Sequence, residues 1–181
     1  MAREASYFPL SLEALRALGR WAADCAAQAL PIYEARIVAD TRPRAALEGI
    51  RLFAGGGKRT AHLRTLALSA YAAARETEDR AAAAAARAAG LAASSAYTHP
   101  LADVQQTKHI VGPAAYAALA LELHQGGDPT RGDAAVAWAI AHVTPDVRTI
   151  LQHMPAREAG TSRLDNLLYQ LDAGIRSTMI L

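Results

Sequence analysis

Apolar residues return at helical spacing along almost the whole chain. After Ser11, which is placed to cap, SLEALRALGRWAADCAAQAL sets Leu12, Leu15, Leu18, Ala22, Cys25 and Ala29 at steps of three or four. That is the pattern of a helix with one buried stripe. Pro31 removes a backbone donor, so the spacing predicts a kink or restart there, with Tyr33 and Glu34 just past the bend. Asp40-Thr41-Arg42-Pro43-Arg44 reads as a helix start, capped by Asp40 or Thr41 with proline in the first turn, and the helix runs to Gly55-Gly56-Gly57. Thr60 is placed to cap a third helix with Leu63, Leu66, Ala70 and Ala74 on one face, and Asp79 a fourth, RAAAAAARAAG. This alanine helix is apolar nearly all round, which predicts burial at the centre of the molecule.

Further along, Gly112-Pro113 predicts a fresh start for AAYAALALELH, and Gly126-Gly127-Asp128-Pro129 its end. Asp133 is placed to cap AAVAWAIAHV, and Thr144-Pro145-Asp146 opens VRTILQHM. The last segment carries Leu164, Leu167, Leu168, Leu171 and Ile175 as an amphipathic stripe, which either packs on the bundle or forms a homodimer contact. Only IYEARIV could pass for a strand, and it is short and flanked by helix signals. The expectation is an all-α fold: one compact bundle of eight or nine helices over residues 1–181 around the alanine helix. AAAR recurs at 72–75 and 84–87, but no longer period of large residues indicates a solenoid.

Composition narrows this. With 52% hydrophobic and only 6% aromatic residues, the core must be built mainly from Ala and Leu, which requires close helix–helix contact. The net charge is +2, the positive charge is mostly arginine, and there is no dense basic run, so nucleic acid is not an expected partner. Cys25 is the one cysteine, which excludes an intrachain disulfide and a cysteine-rich metal cage. MAREASYFPLS lacks the apolar stretch of a secretory signal, and no uninterrupted apolar run of about 18 residues occurs. A soluble cytoplasmic protein without a membrane partner is expected.

Chemistry-bearing residues concentrate between Asp79 and Ala120. Arg87 interrupts the alanine face, and a buried arginine requires a carboxylate or an anionic ligand; Glu34 or Asp24 is the expected partner. Tyr97, His99, Asp103, Lys108, His109 and Tyr116 follow. His99 and Asp103 would be neighbours if their segment were helical. Two imidazoles and a carboxylate are ingredients of a divalent-metal site, but no recognised ligand spacing is met, and neither metal nor cofactor is expected. Arg42 and Arg44 at a helix start could hold an anion or stand exposed. GGGKRT at 55–60 is not a phosphate loop: Leu52 stands where the first glycine belongs, and Arg59 where Ser or Thr belongs. Cys25 reads as a small core residue, and His62, His124, His142 and His153 as surface or capping groups.

Several stretches together resemble a family of bacterial helical proteins described as immunity proteins, the immunity-five-like domain. They are WAADCAAQALPIYE at 21–34, D-x-R-P-R at 40–44, AYAAARE at 70–76, and AAAAARAAGLAASSAYTHP with KHIVGPAAYAALALE between 82 and 122. The resemblance covers roughly residues 11–125, and 126–181 carry nothing that matches it. It implies an α-helical domain with immunity function, and it carries over Trp21, Asp24, Glu34, Asp40, Arg42, Arg44, Arg87, His99 and Tyr116.

Two functions are therefore open. In the first, the chain is a partner-binding protein that neutralises a toxin through Trp, Tyr and Arg anchors. In the second, it is a small-molecule enzyme or ligand binder. Glu34, Asp24 and Arg87 would then converge with His99 and His109 between the alanine helix and the first helix, a histidine serving as general base and Arg87 as anion clamp.

Overall fold

A computed structural model describes residues 6–178. It therefore covers the N-terminal reading above only from Ser6; residues 1–5 lie outside the described residues. Among these there are nine α-helices: α1 (Leu12–Ala27), α2 (Leu30–Arg36), α3 (Arg42–Ala54), α4 (Ala61–Glu76), α5 (Arg80–Ser94), α6 (Thr107–His124), α7 (Pro129–Ala141), α8 (Pro145–His153) and α9 (Arg163–Ser177). Short 3-10 turns at Ser95–Tyr97 and Val104–Gln106 link α5 to α6. No strand forms among the described residues. IYEARIV lies mostly in α2, and the only extended pairing is an isolated bridge between Tyr7 and Leu101.

Helix starts follow local chemistry. The side chains of Ser11, Asp79 and Thr144 accept hydrogen bonds from the backbone N–H of Ala14, Ala82 and Val147. Each satisfies a donor the helix cannot pair itself. Thr60 precedes α4 without making such a bond. Pro31, Pro43, Pro129 and Pro145 all stand in first turns, where a missing N–H costs nothing.

Two starts differ from expectation. Asp128, not Asp133, caps α7, and Asp133 sits inside that helix, paired with Arg163. Pro113 lies within α6 instead of opening it. An interior proline leaves the carbonyl four residues back, that of His109, without its helical donor, at a cost of ~3 kcal/mol. Continuing the helix buries Ile110 and Val111 completely, and about 1.5–3 kcal/mol for each side chain outweighs the loss.

The alanine helix α5 is central. Eleven of its residues are buried, and it packs on α1, α2, α3, α4 and α6. Small residues set these distances. A Cβ on Gly90 would lie 2.8 Å from the Tyr71 ring and 3.2 Å from the Ala67 carbonyl oxygen, and one on Gly112 would lie 3.0 Å from Leu91. Two apolar clusters fill the molecule: one joins α2–α5 with faces of α1 and α6, the other joins opposite faces of α1 and α6 with α7, α8 and α9. In the second, Leu167, Leu168, Leu171 and Ile175 are all buried. Four of the five residues of the α9 stripe thus pack on the bundle.

Candidate functional site

The residues expected to share one cavity are distributed over four places. At the α2–α3 corner, Glu34 accepts two hydrogen bonds from Arg44, at 2.6 and 2.8 Å. Asp40 accepts from Arg42 and from the Tyr33 hydroxyl, the latter at 2.7 Å, and Arg42 also pairs with Glu76. Asp40 is held well below the usual carboxylate range, chiefly by the Arg42 guanidinium. Arg42 and Arg44 are thus engaged by carboxylates in the chain. The partner expected for Arg87 is taken: Glu34 belongs to Arg44, and Asp24 is exposed on another face. Helical periodicity gives the face a residue occupies but not which helix faces it, so the pairing could not be read from sequence.

The second place is the α5–α6 connection. The Tyr97 hydroxyl donates to the Thr60 carbonyl, and the guanidiniums of Arg64 and Arg59 lie 4.5 and 5.6 Å from the centre of its ring. Tyr97 therefore clamps the start of α4 to the end of α5. His99 is exposed and meets the edge of Tyr7. Asp103 accepts from the N–H of Gln105 at the second 3-10 turn. The His99–Asp103 segment is not helical because Pro100 interrupts it, and the two are not one helical turn apart. No group of three or more His, Cys, Asp or Glu side chains that could hold a metal ion occurs among the described residues.

The third place is a groove of about 490 Å³ lined by α1, α3 and α7. Trp21 forms part of its wall and donates its indole N–H to the Ala139 carbonyl at 3.0 Å, fastening α1 to α7. Trp138 stacks on His142 at 4.1 Å, and Arg20, Asp24 and Arg51 stand on the lining. Arg20 is held by the Ala54 carbonyl at 2.8 Å, whereas Arg51 and Asp24 make no ion pair among the described residues. Trp138, Arg20 and Arg51 were not singled out from the sequence, and His142 was read only as a surface or capping group, which it is as the exposed C-cap of α7; the i, i+4 spacing of Trp138 and His142 was the available signal.

The fourth is a cleft of about 310 Å³ between α4, α5 and the first turn of α6, lined by Tyr71, Arg75, Arg87, Leu91, Lys108 and His109. Tyr116, buried beneath, presents its ring 5.7 Å from the Arg87 guanidinium. Of the site residues expected from sequence, Arg87, His109 and Tyr116 are brought together here; Glu34, Asp24 and His99 are not. Tyr71 and Arg75 were missed as site residues, although Arg75 and Arg87 end the two AAAR repeats. Burial, and secondarily Lys108, push the His109 imidazole below its ordinary value, so it favours the neutral form. Its Nδ1 is buried without a hydrogen-bond partner. Cys25, by contrast, is a core residue whose thiol burial pushes far up, which makes it unreactive.

The fold and its clefts define an all-α protein built on a buried alanine helix, with several concave surfaces. The chain belongs to the family described as "Imm-5 like putative immunity protein", whose model matches residues 9–146. The match runs beyond the stretches that carry the resemblance in sequence, through α7 and into the start of α8. Comparison with curated proteins and with solved structures finds no significant match in either.

Proposed function

We propose that this chain is an immunity protein that neutralises a polypeptide toxin by binding it, and that the α1–α3–α7 groove is the contact surface. Family membership supports the function. The observation that carries the choice of surface is the pairing of two tryptophans with two arginines on the lining of this groove. Tryptophan and arginine dominate binding energy at protein interfaces because they offer large apolar area and, for arginine, several donors on one rigid group. Trp138 can cover a partner's apolar side chain, while Arg51 makes no ion pair among the described residues and is free to take a carboxylate from the toxin. The protein would act in the bacterial cytoplasm; no described helix is long and apolar enough to cross a membrane.

The test is co-expression with the product of a neighbouring gene as candidate toxin, read as growth, together with titration of the purified pair. Trp138→Ala is expected to weaken the complex by roughly 30-fold or more, the effect of losing one interface anchor, and Arg51→Glu to abolish protection. Both variants should keep the wild-type melting temperature. Full protection by the doubly substituted chain would remove the groove from the proposal, and failure of the wild-type chain to bind would remove the proposal itself.

A further inference from the structure

The cleft between α4, α5 and α6 is a second concave surface, and its charge is one-sided. Arg75, Arg87 and Lys108 line it together with His109, and no carboxylate does. None of these three cations forms an ion pair among the described residues, and Arg87 makes no hydrogen bond there either. Two carboxylates whose charges reach Arg75 and Lys108 are already engaged: Glu76 by Arg42, and Asp165 by the Ser162 cap of α9. Three positive charges around one small volume raise the local potential there, and an anion in the cleft would lower it.

The geometry also orients the charges. Arg87 lies over the Tyr116 ring, which stabilises the face of the guanidinium while leaving its N–H edge to donate. The Tyr71 hydroxyl is tied to the Ser94 hydroxyl at 3.0 Å, which fixes its ring at the wall. The close approach at Gly90 holds that ring against α5, and Leu91 adds apolar surface beside it. The buried, unpartnered Nδ1 of His109 is a further polar atom in the same wall. The volume, about 310 Å³, is at the lower end of the range for small-ligand sites.

We propose that this cleft binds a phosphorylated small molecule. Arg75, Arg87 and Lys108 would hold the phosphate, and the Tyr71 ring and Leu91 the remainder of the ligand. A phosphate group, with up to two charges and three acceptor oxygens, matches three cations better than one carboxylate can. The inference stands apart from the toxin-binding proposal, since the two clefts share no lining residue.

Inorganic pyrophosphate is the probe, titrated calorimetrically into the full chain at constant ionic strength, with citrate as a polyanion carrying only carboxylates. Saturable binding of pyrophosphate is expected, and citrate should bind at least about tenfold more weakly. Lys108→Ala and Arg87→Met should each lower pyrophosphate affinity by about tenfold, the share of one charge-assisted contact. Arg131→Ala, an equal change of charge elsewhere on the surface, should leave it unchanged. Lys108 is exposed, so its variant keeps the test decisive even if Arg87→Met fails to fold. In NMR spectra pyrophosphate should shift the imidazole signals of His109 and leave those of His142 in place. Absence of saturable binding, equal binding of citrate, or undiminished binding by Lys108→Ala would overturn the proposal. Failure of the wild-type chain to bind the toxin, with pyrophosphate binding intact, would overturn only the toxin-binding proposal.

Discussion

His109 stands at the point where α6 begins to enter the core, with one ring nitrogen buried and a cation beside it. Both influences disfavour the imidazolium, burial more than Lys108, so its folded pKa lies below that of the unfolded chain. On lowering the pH the unfolded state therefore takes up the proton first. The stability linked to this residue is complete above the ordinary imidazole value of about 6.5 and is lost as pH falls below it. His109→Gln, which carries no charge at any pH, should lose less melting temperature between neutral and mildly acidic solution than the wild type. The other five histidines are common to both proteins and cancel. Identical pH profiles would show that the His109 proton is not linked to folding. That this histidine shares a wall with Arg87 followed from the sequence only as a possibility among several. Burial and neighbours decide it, and those depend on how α4, α5 and α6 stack.

The helices themselves were legible because their signals are local. Ser11, Asp79 and Thr144 cap where their position before an apolar run says they should, and Gly55 to Gly57 break the chain after α3. Pro113 was misread for the converse reason. A proline reads locally as a start, but burial of Ile110 and Val111 on one side and Ala114 to Ala118 on the other carries α6 straight through it. Gly90 shows the same conflict between local preference and packing. Alanine is favoured over glycine inside a helix by about 1 kcal/mol. A Cβ here would press on the Tyr71 ring at 2.8 Å and on a backbone oxygen at 3.2 Å, and overpacking of a filled site costs about 1–3 kcal/mol. The steric cost wins. Gly90→Ala should lower the melting temperature by about 2–4 °C, the shift corresponding to a net loss of ~1 kcal/mol in a chain of this size. An unchanged or raised melting temperature would mean that α4 and α5 can separate freely, and that the Tyr71 wall of the cationic cleft is soft.

Two apolar clusters share helices α1 and α6, each contributing opposite faces to both, and this makes the C-terminal helices part of the same structural problem as the N-terminal ones. The family match ends at residue 146, just inside α8. Beyond it, Leu151, Leu167, Leu168, Leu171 and Ile175 are each no more than 2% exposed and cover Leu18, Trp21, Ile110 and Val111. Burying a large aliphatic side chain contributes about 1.5–3 kcal/mol, so these five represent on the order of 10 kcal/mol, as much as the whole net stability of a typical domain. The Arg157 N–H donating to Asp172, Arg176 donating to the Met154 carbonyl, and the ion pair of Glu122 with Arg163 tie α9 further to its surroundings. A chain ending at residue 146 is therefore predicted to lose cooperative unfolding, to bind hydrophobic dyes and to give poorly dispersed amide spectra. Retention of a sharp thermal transition near that of the full chain would mean instead that residues 147–181 form an appendage, with α1–α7 stable without them. In that case Trp21 and Ile110 would have to be protected by rearrangement of α7, which hydrogen exchange at the indole of Trp21 would detect.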